Sequence, residues 1–217
     1  MSLRIPNHIG LIPDGNRRWA RERGLHPAEG YAAGVIKGLT MLDECIGLGI
    51  KEVSVYGFTM DNNKRPRDQR IAFGAACAKF VEAAMLRDVD LRVVGDWQSK
   101  MFPTELRPYA LERRGGGKLK VNILVNYGWS WDLQTAVCAQ SEPGERRPFT
   151  ELLASADVSR VDLLVRWGGM RRLSGFLPIQ TVYSDFYVVD AYWPDYQIHQ
   201  FHEALHWYAK QDVTLGG

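Results

Sequence analysis

The sequence predicts one α/β domain built around a mostly parallel central sheet with helices on both faces. Strand-length apolar runs alternate with helix-length stretches along the chain, which is typical of parallel strands joined by crossover helices. The chain has 217 residues, of which 46% are apolar, and this is enough for one substantial core. We therefore expect residues 1–217 to form a single domain.

The predicted strands are short apolar runs bounded by turn residues. They lie at 9–12, 51–58, 91–94, 120–125, 161–165 and 187–189. Helix-length stretches separate or follow them, at 30–48, 68–87, 102–113, 131–139, part of 175–184, and 199–210. The segments 113–118 and 141–148 are expected to be surface loops. Ligands of parallel sheets bind beyond the carboxyl ends of the strands, so segments that follow a strand are candidates for the site.

Composition and charge exclude some classes of function. A net charge of +2 gives no strong signal for a nucleic-acid partner. Cys45, Cys77 and Cys138 lack metal or disulfide spacing and are interpreted as small buried apolar residues in a reducing compartment. No apolar run reaches membrane-spanning length, and the N-terminus lacks a signal-peptide pattern. We expect a cytoplasmic protein without a transmembrane segment.

The segment HIGLIPDGNRRWA at 8–20 carries the most chemical information. An apolar run stops at a Pro-Asp-Gly turn, and residues that favour a helix follow. A strand that leads into a helix start presents free backbone N–H groups, which bind anions. Arg17 and Arg18 can hold phosphate oxygens there, and the Asp14 carboxylate suits a hard cation such as Mg²⁺. An enzyme that transfers a diphosphate-activated group needs these parts, although the spacing alone is equally compatible with a solvated surface turn.

This segment resembles the first signature of the cis-prenyltransferases, the family of undecaprenyl diphosphate synthase. Further blocks resemble the family's other motifs in the same order. They are GFTMDNNKRP at 57–66, VNYG at 125–128, DLLVRWGGMRRLSGF at 162–176, and YSDFY at 183–187 followed by WPDY at 193–196. The resemblance covers nearly the whole chain. It implies the cis-prenyltransferase fold and a Mg²⁺-dependent prenyltransferase, in which an allylic diphosphate leaves while a double bond attacks.

The resemblance implies distinct roles for residues of the donor site. Asp14 is expected to be the catalytic carboxylate linked to Mg²⁺, and Asn16 to assist proton removal after condensation. The residues expected to bind the allylic substrate are Gly15, Asn16, Arg17, Arg18, Trp19, Thr59, Asn62 and Arg65. For Trp19 there is an alternative, which is packing of its helix against the sheet.

The acceptor diphosphate is expected at Arg166, Arg172 and Ser174. Asp185 stands where the family has a glutamate that helps to hold the metal, and the shorter side chain keeps the charge but changes its reach. The implied substrates are dimethylallyl, isopentenyl, geranyl or farnesyl diphosphate. The implied assembly is a homodimer, with a heteromer as the alternative.

Several positions depart from the family pattern, and they cluster around the substrates. Pro27 and Tyr31 replace an arginine and a histidine, Asn63 a tryptophan, Trp167 a threonine and Met170 a glutamate, and the C-terminal Arg-x-Gly reads Thr214, Leu215 and Gly216. Weak binding of the acceptor favours early release of the product, because lost affinity appears mostly as faster dissociation. We therefore expect short products, of about ten to twenty carbons.

These departures leave several functions open. The first is a short-chain prenyl diphosphate synthase, with either a regular cis linkage or an irregular one as in lavandulyl and cyclolavandulyl diphosphate synthases. Others are a terpene synthase acting on one diphosphate, an ordinary long-chain synthase, and a non-catalytic subunit of a heteromer. The retained Asp14, Asn16 and Arg18 argue against the non-catalytic subunit.

Overall fold

One parallel sheet organises residues 4–140 and 146–212, which are the residues described by the computed structural model. Its strands are β1 (His8–Ile12), β2 (Glu52–Thr59), β3 (Val89–Val94), β4 (Leu119–Tyr127), β5 (Leu163–Trp167) and β6 (Asp185–Val189). The order across the sheet is β3-β4-β2-β1-β5-β6, and each neighbouring pair is parallel. The carboxyl ends of all six strands therefore share one edge.

Helices and loops cover both faces of this sheet. The helices are α1 (Asn16–Glu22), α2 (Pro27–Gly47), α3 (Arg67–Ala84), α4 (Arg107–Leu111), α5 (Trp129–Gln140) and α6 (Ile198–Tyr208). Buried side chains alternate along the strands: Val165 packs with the core under α2, α3 and α6, whereas its neighbour Leu164 packs with Tyr56 and Phe176 on the opposite face. This alternation is the two-sided burial expected of a parallel sheet, and it confirms the predicted fold class.

The predicted strands are confirmed with small shifts at their ends, but two other expectations are wrong. The segment 175–184 forms turns rather than a helix. Ser174 and Leu177 adopt positive φ angles of 52° and 36°, which interrupt helical geometry. Cys138 is exposed on α5, although Cys45 and Cys77 are buried as expected.

Local signals explain where α2 begins. Pro27 occupies the first turn, where its missing N–H costs nothing, and the His26 ring accepts a hydrogen bond from the Ala28 N–H. The Glu29 carboxylate accepts from the His26 N–H and closes a capping box. None of the helices within 4–140 and 146–212 combines the length and apolar character needed to cross a membrane.

Candidate active site

A cavity of about 960 Å³ opens at the carboxyl edge of the sheet and extends between the sheet, α2 and α3. Three segments that are distant in sequence meet there, because each follows a strand of the same sheet. Of the residues predicted for the site, the lining contains Asp14, Gly15, Asn16, Arg17, Arg18, Thr59, Asn62, Arg65, Arg166, Arg172 and Ser174. The predicted convergence of the motifs on one edge is therefore present in the structure.

Asp14 lies at the centre of the polar part of the cavity. Its Oδ2 accepts a hydrogen bond from Arg166 Nη2 at 2.7 Å and lies 3.4 Å from Arg18 Nη2. Its Oδ1 accepts from the Gly15 N–H at 2.6 Å. The carboxylate thus links the turn after β1 to the end of β5, and it balances two arginines that would otherwise repel each other.

Arg166 is the most enclosed cation of the site, with 3% of its surface exposed. Besides its pair with Asp14, its Nη1 donates to Ser174 Oγ at 2.9 Å and to the carbonyl of Arg172. Tyr56 fixes the same turn from below, because its hydroxyl donates to the Ser174 carbonyl at 2.9 Å. Arg166 therefore organises the loop after β5, whereas the Arg172 side chain is exposed at the mouth.

Two glycines allow the loops to approach this closely. Gly15 has a φ of 102°, and a Cβ there would lie 2.6 Å from the Tyr192 ring. Gly168 has a φ of 86°, and its Cβ would lie 2.6 Å from Arg18 Nη2. Any side chain at either position would be strained and would push apart the groups around Asp14.

Asn16 begins α1 with its side chain directed towards α2. Its Nδ2 donates to the Pro13 carbonyl at 2.9 Å. Its Oδ1 is buried and finds no hydrogen-bond partner among residues 4–140 and 146–212. The side chain thus offers one uncommitted acceptor next to Asp14, at the position where the family resemblance places proton removal.

Arg65 follows the short turn Met60–Lys64, which carries Thr59 and Asn62 at its start. Its Nη1 donates to the Tyr31 hydroxyl at 3.4 Å, and its guanidinium carbon lies 5.5 Å from the centre of the Phe73 ring. Burial and the charge of nearby Arg17 lower the pKa of Arg65, although the Tyr31 oxygen opposes this. Arg65 is therefore a partly buried cation, and no carboxylate in the described parts of the chain pairs with it. A cation in this position favours an anionic ligand.

The deeper part of the cavity is apolar. Val35 and Gly38 of α2, Val55 of β2, and Cys77 and Phe80 of α3 line it. Phe80 limits this space, because its ring lies so near Gly38 that a Cβ there would be 2.7 Å from Cε2. An arginine-rich mouth above an apolar interior matches a ligand with an anionic head and a hydrocarbon tail.

Two predicted site residues lie elsewhere. Trp19 is absent from the cavity lining, and its Nε1 donates to Asp195 Oδ1 at 2.7 Å while Arg23 stacks on its ring. These contacts favour the packing role of Trp19, and a substrate contact stays a prediction. Asp185 is the first residue of β6 and pairs with Leu163, at the edge of the sheet opposite Asp14. Within this chain it lies apart from Asp14, and its expected role in holding the metal stays a prediction.

The side chains at the mouth fit a metal cation that is bound partly by the protein and partly by substrate and water. Within 4–140 and 146–212 no three His, Cys, Asp or Glu side chains gather into a metal-binding cluster. Magnesium in phosphate-transfer sites is bound through one or two carboxylates together with substrate phosphates and waters. Asp14 supplies one such carboxylate at the mouth, so the residues present fit Mg²⁺ if a diphosphate supplies further oxygens.

The charge of the lining points to the same ligand. Six arginines and two aspartates line the cavity, for a net charge of about +4. The arginines are Arg17, Arg18, Arg21, Arg65, Arg166 and Arg172. Such an excess of one sign in a concave site attracts and binds ligands of high negative charge.

The sequence assigns no substrate contact to several lining residues. Tyr31 and Met170 are identified from it only as departures from a family pattern, and Phe73 only as part of the predicted helix at 68–87. Tyr56 carries no signal in the sequence, since its contact with the Ser174 carbonyl joins β2 to the loop after β5, which is distant in sequence. The altered C-terminal Thr214, Leu215 and Gly216 lie outside the described residues.

Comparisons with known proteins agree on one family. The family described as “Putative undecaprenyl diphosphate synthase” matches residues 12–216. An isoprenyl transferase of Nitrosomonas europaea is 32% identical over 98% of this chain and 86% of its own length. A ditrans,polycis-undecaprenyl-diphosphate synthase of Pseudomonas putida, specific for (2E,6E)-farnesyl diphosphate, is 29% identical over 98% of this chain and 91% of its own length.

A solved structure shares the fold of the chain. The lavandulyl diphosphate synthase from Lavandula x intermedia, solved in complex with dimethylallyl diphosphate, superposes with a TM-score of 0.85. The two are 24% identical, and the match covers 98% of this chain and 99% of that one. The likeness extends over the full sheet and its helices.

Proposed function

The chain belongs to the undecaprenyl diphosphate synthase family of prenyltransferases, and from this premise we propose that it condenses short prenyl diphosphates, with Mg²⁺, into a short-chain product. The observation that carries the proposal is the placement of Asp14, Arg18 and Arg166 in contact at the mouth of an apolar cavity. One carboxylate between cations, above a hydrocarbon pocket, suits a reaction in which diphosphate leaves an allylic carbon.

The donor diphosphate is assigned to the side of the mouth formed by α1 and Arg65. Helix α1 has seven residues, so its dipole is small and the charge must come from Arg17, Arg18 and Arg65. The backbone N–H groups of its first turn add directed donors. Bound Mg²⁺ would neutralise charge on the departing diphosphate beside Asp14.

The acceptor diphosphate is assigned to Arg172, Ser174 and the loop that Arg166 holds. Arg172 is exposed and free to turn towards a ligand, whereas Arg166 is fixed by Asp14 and Ser174. In this proposal the two diphosphates bind on opposite sides of Asp14, so that the acceptor double bond faces the donor carbon. Asn16 Oδ1, which lacks a hydrogen-bond partner among the described residues, is assigned to assist the removal of the proton.

Product length depends on how much chain the apolar cavity holds. Each added five-carbon unit contributes about 4 kcal/mol, at about 0.8 kcal/mol per buried carbon, while there is room for it. Beyond the depth set by Phe80 a further unit gains nothing, and release competes with elongation. A cavity of about 960 Å³ is within the range of sites for drug-sized ligands. We expect products of about ten to twenty carbons, because weak binding of the acceptor favours early release.

Long-chain synthesis is the second candidate, because the relatives from Pseudomonas putida and Pectobacterium atrosepticum are named as undecaprenyl diphosphate synthases. To decide, purified protein is incubated with Mg²⁺ and radiolabelled isopentenyl diphosphate together with each of dimethylallyl, geranyl and farnesyl diphosphate. A further sample contains radiolabelled dimethylallyl diphosphate alone, which tests an irregular linkage. The products are dephosphorylated, separated by thin-layer chromatography and identified by mass spectrometry. A ladder of long polyprenyl alcohols would overturn the short-chain proposal, and no product from any pair would overturn prenyl transfer itself.

A further inference from the structure

Three aromatic rings form a layer directly beneath the arginines of the mouth. Phe58 precedes the last residue of β2, so its ring lies one residue below the carboxyl edge. The Phe73 ring of α3 meets Phe58 edge-on, with centres 5.6 Å apart and planes at 80°. Tyr31 of α2 stacks flat on Phe73, with centres 4.6 Å apart and planes at 9°.

Two of these rings, those of Tyr31 and Phe73, line the cavity beside Arg65. Val55 lines the cavity three residues before Phe58 on β2, and it therefore lies further from the carboxyl edge. A prenyl diphosphate with its phosphates among the arginines would carry its first carbons at the level of these rings.

Charge develops at those carbons during the proposed reaction. The bond between the allylic carbon and the diphosphate oxygen breaks, and both electrons leave with the diphosphate. The allylic fragment becomes electron-deficient until the acceptor's double bond donates its π electrons to the new carbon–carbon bond. A proton then passes from the acceptor carbon skeleton to an oxygen of the departed diphosphate, and this restores a double bond. The positive charge therefore lies on the hydrocarbon part of the substrate. Its stabilisation does not require contact with a side-chain carboxylate.

The two carboxylates of the lining are occupied elsewhere. Asp14 is paired with Arg166 and Arg18, and Asp61 is exposed and paired with Lys64 at 3.0 Å. The face of an aromatic ring attracts cations, most strongly where water is excluded. Phe73 already has the Arg65 guanidinium 5.5 Å from its centre, and its half-buried side chain lines the cavity.

We propose that the Phe73 ring, held in place by its stack on Tyr31, stabilises the positive charge that develops on the allylic carbons as the diphosphate leaves. The inference rests on the proposed prenyl transfer and adds a catalytic residue to it. It differs from a purely steric role, because the effect depends on the electron density of the ring and not on its volume.

The test replaces Phe73 by 4-fluoro-, 3,5-difluoro- and 3,4,5-trifluorophenylalanine, which keep the shape of the ring but progressively weaken its attraction for cations. We expect kcat to fall stepwise, by about tenfold at the trifluorinated ring. Affinity for a non-reacting allylic thiolodiphosphate, measured by calorimetry, should stay unchanged. The same series at Phe201, which is fully buried in α6 and outside the cavity lining, is the matched control for fluorine in a packed core.

The outcomes separate the alternatives. A flat kcat across the Phe73 series would overturn the proposal, as would an equal decline in the Phe201 series. The proposal would also be overturned if weaker binding of the thiolodiphosphate accounted for the whole decline in rate. The ring would then act through Arg65. If the unmodified protein converts no allylic diphosphate with any acceptor, prenyl transfer itself fails, and this inference fails with it.

Discussion

Replacement of Asp14 by asparagine tests the charge arrangement at the mouth of the cavity. The amide keeps the size of the side chain and an oxygen that can accept from the Gly15 N–H, now at 2.6 Å. It removes the negative charge that lies 2.7 Å from Arg166 Nη2 and 3.4 Å from Arg18 Nη2. Because Arg166 is 3% exposed, its charge would then be buried without a counter-ion.

The cost in stability follows from the contacts that remain. Loss of one partner of a buried pair costs about 3–5 kcal/mol when nothing replaces it. Here Arg166 keeps Ser174 Oγ at 2.9 Å and the Arg172 carbonyl, and the Asp14 side chain is 33% exposed. The loss is then closer to one charge-assisted hydrogen bond, about 1.5–3 kcal/mol. For a chain of 217 residues this lowers the melting temperature by about 3–12 °C, and the protein stays folded.

The loss of activity should be much larger than the loss of stability. Removal of a key electrostatic group lowers kcat by about a thousandfold, and we expect Asp14→Asn to do so in the condensation assay with Mg²⁺. Asp195→Asn is the matched control, because Asp195 pairs with Trp19 and Arg23 outside the cavity. Circular dichroism melting checks that both variants fold. Full activity of Asp14→Asn, or of the unmodified protein in excess chelator, would refute the reasoning.

Two further predictions concern the acceptor site and the pH dependence of stability. Arg172→Ala should raise the acceptor's KM by about ten- to hundredfold and the donor's far less, since a charge-assisted contact is worth about 1.5–3 kcal/mol; steady-state kinetics with each substrate varied in turn measures this. His8 is 1% exposed and bonded to Ser54 Oγ at 2.9 Å; burial lowers its pKa below 6.5, although Glu52 and Asp162 oppose this. The unfolded chain therefore takes up the proton first, and the free energy of unfolding should fall as the pH drops below about 6.5. Urea unfolding at several pH values checks this, and an increase in stability between neutral pH and pH 5.5 would contradict it.

The convergence of the site was predictable because it depends on topology alone. In a parallel sheet every strand ends at the same edge, so Asp14, Arg65 and Arg166 were expected to meet once each was seen to follow a strand. Their pairing was not predictable. That Arg166 is enclosed by Asp14 and Ser174, while Arg172 remains exposed, depends on the positive φ angle of Ser174 and on the Tyr56 hydroxyl beneath it. Neither feature can be inferred from the spacing of residues in the sequence.

The same topological rule places Asp185 away from Asp14 within this chain. Asp185 is the first residue of β6 and pairs with Leu163 at the amino edge. It would lie at that edge even if the strand began at 187, because a residue that precedes a parallel strand is at its amino end. A family motif identifies a residue type, yet it cannot state at which end of a strand the side chain lies. The four residue steps along β6 separate Asp185 from the carboxyl edge by about 13 Å, at about 3.3 Å each. A polar residue can be assigned to the carboxyl edge from sequence when it follows a clear apolar strand, as Asp14 does. A polar residue that precedes a strand cannot.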